Sequence, residues 1–161
     1  MIEESPFGFC HRVFKELRKA SRVFQDYMNP VFNEVGLKPL EGCLLAELDR
    51  KNGQTINELA CNTSIIQSNL PPLWHSLEDK GLIERRKDDV DARSYRLYLT
   101  EEGARVVGEL DALVGGRLDG DEEGLMERRQ EIVEGFAALA LLFGGADSSG
   151  EGLPKKRGDW R

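Results

Sequence analysis

From Thr55 to Leu99 the chain reads TINELACNTSIIQSNLPPLWHSLEDKGLIERRKDDVDARSYRLYL. Thr55-Ile56-Asn57-Glu58 is a capping box, in which the threonine hydroxyl and the Glu58 carboxylate satisfy each other's backbone amides. It opens a short helix over 55–61, and Asn62-Thr63-Ser64 follows as a turn. A second helix ends at Leu77-Glu78-Asp79-Lys80-Gly81, with Gly81 as its stop. The period then changes. Leu82–Arg86 reads as a strand, 87–94 is polar and turn-rich, and Tyr95-Arg96-Leu97-Tyr98-Leu99 alternates as a returning strand. A helix-turn-helix followed by a charged β-hairpin places one helix for the major groove and a basic wing for phosphates or the minor groove.

Pro71-Pro72 interrupts this pattern. In a helix starting near Ile66, each proline would delete a backbone bond and clash with a carbonyl, at roughly 3 kcal/mol apiece. The pair therefore predicts a helix that begins at about Pro71 or Pro72, or a kinked one. Gln67, Ser68 and Asn69 then sit at its entrance, able to touch phosphates or base edges. Ser64, His75, Arg86 and Arg96 join them as candidate DNA contacts. Between 62 and 80 the only base is Lys80. Trp74 reads as core rather than as a base-stacking residue.

On the N-terminal side, apolar spacing over 7–33 describes one face of a long helix that Pro30 kinks or ends. Another helix starts at Pro39 and runs to about Arg50, closed by Asn52-Gly53. On the C-terminal side, Thr100-Glu101-Glu102-Gly103 caps a helix reaching Leu118. Asp121 begins a last helix to Phe143, and 144–161 reads as a flexible Gly-, Ser- and charge-rich tail with a basic end. The fold class that follows is mainly α with a small β-hairpin wing.

Composition narrows the function. The 161 residues are 40% hydrophobic and 32% charged, as in a soluble globular protein. No apolar run nears the roughly 18 residues that span a bilayer, and the acidic start does not resemble a signal peptide, so no membrane contact and a cytoplasmic place are expected. The net charge is −7, yet residues 85–96 hold five bases against three acids, so positive charge is concentrated at the wing. Cys10, Cys43 and Cys61 have no metal or disulfide spacing and lie among apolar residues, which predicts buried thiols. Two histidines, no nucleophile motif and no phosphate-binding glycine loop leave no catalytic, metal or cofactor site to name.

Four fragments in order, Glu58-Leu59-Ala60, Leu77–Arg85, Asp91-Ala92-Arg93 and Leu99–Gly103, resemble the MarR (multiple antibiotic resistance regulator) family over about residues 7–143. The resemblance implies a homodimer built from a helical dimerisation region, 1–36 with 101–143, and a winged helix-turn-helix region, 37–100. It implies a ligand-responsive repressor on double-stranded, pseudo-palindromic DNA, with Arg93 entering the minor groove and Asp91 bracing it. It also suggests a small aromatic or phenolic ligand between the two regions. Two other readings stay open. One is a protein-interaction module with weak or lost DNA binding. The other is a redox sensor using Cys10, which lies about a turn earlier in the first helix than that branch of the family places its cysteine.

Overall fold

Ser5 opens the first helix by accepting the Gly8 amide at 3.1 Å, and Pro6 fills a first-turn position that needs no amide donor. In this computed structural model residues 5–88, 94–118 and 122–144 are described, without the side chains of 118, 122–127 and 143–144. Helix α1 spans Pro6–Glu34 and continues past Pro30. The expectation that Pro30 ends it is corrected: the proline forgoes one backbone bond, but Val31 and Phe32 directly after it are buried, and their burial outweighs the loss. The helix stops just before Gly36, whose φ of +69° favours glycine, with the Leu37 amide closing on the Phe32 carbonyl at 2.9 Å.

Helix α2, Pro39–Arg50, is the central post of the core. Its Leu44, Leu45 and Leu48 are wholly buried. Gly42 lets the ring of Phe32 lie directly on the helix, where any Cβ would collide with it.

The sheet has one strand more than the hairpin expected from sequence. β1 (Gln54–Thr55), β2 (Ile83–Lys87) and β3 (Tyr95–Leu99) are ordered β1-β3-β2, antiparallel throughout. A strand of two residues has no periodicity to read. It forms because the Asn52 side chain accepts the Leu99 amide at 2.8 Å, which seats the α2–β1 turn on the end of β3.

Between the strands come α3 (Ile56–Thr63) and α4 (Leu70–Asp79). Leu59, Leu70, Leu77 and Leu97 meet the α2 leucines in one core. Helix α5 (Glu101–Leu118) starts as expected, with Thr100 accepting the Gly103 amide at 3.0 Å. Gly103 faces the Leu82 carbonyl so closely that a Cβ has no room. Helix α6 spans Glu122–Gly144. Its Phe136 and Leu139 come up beside Phe9, Val13 and Leu17 of α1. Most of its described apolar side chains, Val133 and Leu141 among them, remain in water.

All three thiols are exposed, contrary to expectation. The apolar neighbours of Cys10 on α1, Phe7 and Phe14, are themselves exposed in a single chain, so their hydrophobicity does not create an interior there.

Candidate nucleic-acid interface

The capping box forms as the sequence predicts: the Thr55 amide donates to Glu58 Oε2 at 2.8 Å and the Glu58 amide to Thr55 Oγ1 at 3.2 Å. Helix α3 ends at Ser64, which takes the left-handed conformation at φ 55° and stays exposed. Ile65 then dives into the core. That reversal lets a 3-10 turn, Gln67–Asn69, run straight into α4.

The two prolines lie in the first turn of α4, just after Leu70. Their missing amides are ones no helix pairs internally, so the strain of a mid-helix proline never arises. The helix is regular but short, as expected from a start near the prolines. Its solvent-facing stripe is Pro72, His75 and Asp79, spaced three and four residues apart, and it continues back into exposed Ser68 and Asn69. Gln67 is also exposed, and its amide donates to Asn57 Oδ1 of α3 at 2.6 Å. Trp74 is half-buried against the core. Lys80 faces away from the stripe. Its ammonium donates to the fully buried Glu41 at 2.7 Å and to the Gly36 carbonyl at 3.0 Å. Burial raises the Glu41 pKa, but Lys80 and the Lys38 amide more than offset this and hold it below the usual carboxylate range.

The wing strands carry their bases differently from one another. Arg86 is exposed, pairs with Glu84 and lies over the Tyr98 ring at 4.5 Å. Arg85 lies over Tyr95 at 4.8 Å. Arg96, expected as a DNA contact, turns inward. Its guanidinium reaches Asp88 at 2.6 Å, Glu58 at 3.3 Å and the Gly53 carbonyl at 2.9 Å. It therefore fastens the wing to α3 and to the α2–β1 turn. The Thr55 amide and Lys51 help pull the Glu58 pKa down to about 2. Asp91 and Arg93, at the expected wing tip, lie outside the described residues, as does the expected tail.

Sequence reasoning did not assign Gln54, which is fully buried. Its amide donates to the Lys51 carbonyl at 2.7 Å and accepts from Asn62 at 2.6 Å, locking α2 to α3. No pattern signals it, since one glutamine after a glycine turn looks like loop.

Behind this module is a groove of about 300 Å³ between α1, α2 and α5, walled by Phe24, Met28, Phe32, Cys43, Leu110 and Val114. Among its described lining residues Asp111 is the one charged side chain. Cys43 touches solvent at the wall, while its apolar surroundings push the thiol pKa up. Cys10 sits exposed on α1.

Residues 37–95 match the model of the MarR family. Over that stretch, a little more than a third of the chain, it is similar to the MarR family. An HTH-type transcriptional regulator of Bacillus subtilis (strain 168), YsmB, itself uncharacterised, is 27% identical over 109 residues, 68% of this chain and 75% of its own. The repressor CouR, solved bound to a 23-mer DNA duplex, superposes with a TM-score of 0.69 at 25% identity, over 86% of this chain and 99% of its own. NadR, solved with 4-hydroxyphenylacetate, gives 0.68 at 26%, over 80% and 92%. The matched MarR region takes in α2, α3, α4 and β2, and stops at the first residue of β3. The likeness to solved MarR-family folds runs well beyond it, over most of the chain. Among the described residues no helix is long and apolar enough to cross a membrane.

Proposed function

We propose that this protein is a dimeric DNA-binding transcriptional regulator, a repressor that releases a pseudo-palindromic operator when a small molecule fills the groove behind α2. The observation that carries the reading is the pairing of an exposed stripe on α4 with a wing bolted to the same module through Arg96. A helix-turn-helix uses its second helix for base edges, and Arg86 and the wing tip, with Arg93 and its brace Asp91, reach the backbone and minor groove. Ser64 and Gln67 are exposed beside this surface and are proposed to meet phosphates. The repressor role follows the relative CouR, and the ligand role follows NadR.

The groove has the volume of a small-ligand site and is walled mainly by apolar groups. With Asp111 as its charged lining residue, it suits a neutral phenol better than an aromatic carboxylate.

Gel shifts with the promoter of the chain's own operon, at low and at physiological salt, test the core of the proposal. Binding that weakens steeply as salt rises is expected. Absence of salt-sensitive binding would sink it. A protein-interaction module is the second reading, favoured by one observation: between 62 and 80 the only base is Lys80, and it is engaged inward by Glu41.

A further inference from the structure

We infer that Pro72 is a specificity-determining residue that reads a thymine methyl group in the major groove. The inference rests on the reading of this chain as a DNA binder. Three observations carry it. First, α4 exposes Pro72, His75 and Asp79 on one stripe, and Pro72 lies nearest the helix start, the end from which a second helix contacts base edges. Second, the ring of Pro72 offers hydrocarbon only, with no amide and no side-chain donor or acceptor. Among the features that base pairs show in the major groove, the C5-methyl of thymine is the apolar one. Third, Pro72 is the one apolar side chain on a stripe whose other members, His75 and Asp79, are polar. Lys80 is turned inward to Glu41 and Gly36, Asp79 is at the far end, and the guanine-reading arginine usual for such helices is absent from 62–80. Ser68 and Asn69, exposed just before Pro72, supply polar partners to neighbouring edges. Pro72 thus acts as an apolar reading tip, and the preference it creates is for a thymine at one symmetric position in each half-site.

The test starts from operators selected by the full-length protein out of a random duplex library. Each thymine is then replaced singly by deoxyuracil, which deletes the methyl and changes nothing else in the pairing. At the contacted position affinity is expected to fall about four-fold, the worth of one buried carbon. Pro72→Ser should abolish that difference and leave the other positions unchanged. Pro72→Ala, which keeps a small apolar group, should retain part of it and covers the case in which the serine variant folds poorly. Failure to select any duplex would overturn the DNA-binding reading itself. Selective binding that is indifferent to deoxyuracil everywhere would overturn this inference alone, as would a Pro72→Ser protein that still discriminates fully.

Discussion

Arg96 ties β3 to Asp88 after β2, to Glu58 of α3 and to the Gly53 carbonyl of the α2–β1 turn. Its side chain is about one-third exposed (32%), and the Asp88 side chain it holds is 5% exposed, so truncation takes a charged partner from a buried carboxylate. Arg96→Met is therefore expected to cost about 2 kcal/mol, below the roughly 3–5 kcal/mol for breaking a fully buried pair because one partner is partly solvated. It should also weaken DNA binding by more than the loss of stability alone, since the wing is no longer fixed to α3. Arg96→Lys keeps the charge but cannot span Asp88, Glu58 and the Gly53 carbonyl at once, and should recover only part of both. Urea titration and gel shift on the same preparations read the two effects. Glu58 adds a pH dependence with a definite sign. Its folded pKa, about 2, lies below the unfolded value. The stabilisation it contributes is therefore complete above the ordinary carboxylate range and is lost as pH falls from there through about 2. Thermal melts between pH 6 and 2 should show Glu58→Gln with a shallower acid decline than the parent. Equal slopes would remove Glu58 from the acid response.

At the scale of elements, helix α4 is held by its C-terminus. Lys80 joins it to the buried Glu41 of α2 and to the carbonyl of Gly36 at the end of α1. Lys80→Met strands a charge in the interior. It is expected to lower stability by about 2–3 kcal/mol, moderated because the Lys80 side chain is 35% exposed. Combining it with Glu41→Gln removes that charge and should restore part of the loss. Urea midpoints at constant m-value make the comparison. The same element shows what could be read in advance. The capping box at Thr55, the stop at Gly81 and the start of α4 near Pro71-Pro72 were all legible, because each is a local backbone constraint written in one or two residues. The Lys80–Glu41 clamp, the direction of Arg96 and the burial of Gln54 were not, because each depends on which partner the fold brings from 8 to 43 residues away. The third strand escaped for another reason, since two residues carry no period. The wing's charge could be counted from sequence, but alternation alone only places Arg96 on the face opposite Leu97. It does not say that the face is occupied by Glu58 and Gly53.

At the scale of the whole molecule, the exposed hydrocarbon is what a single chain leaves unresolved. Phe7, Phe14 and Phe24 of α1 are mostly in water, and so are Val133, Leu141 and Leu142 of α6. So many exposed large apolar side chains on two helices point to an interface, and two-fold pairing of like chains is the commonest way to cover one. A second copy laid α1 and α6 against α1 and α6 would also set two α4 stripes at a fixed spacing, which is how a dimer addresses two half-sites one helical turn or a multiple of it apart. The expected solution species is a dimer whose melting temperature rises with protein concentration, because dissociation accompanies unfolding. Val133→Glu with Leu141→Glu places two charges in that face without touching the core around α2. Sedimentation equilibrium should then report a monomer with the helical content of the parent. Binding to a full operator should fall toward that of a single half-site, while the stripe on α4 and the fastening at Arg96 stay intact. A parent chain that sediments as a monomer at micromolar concentration, or a double variant that still binds the full operator as tightly, would show that the apolar helices serve another partner.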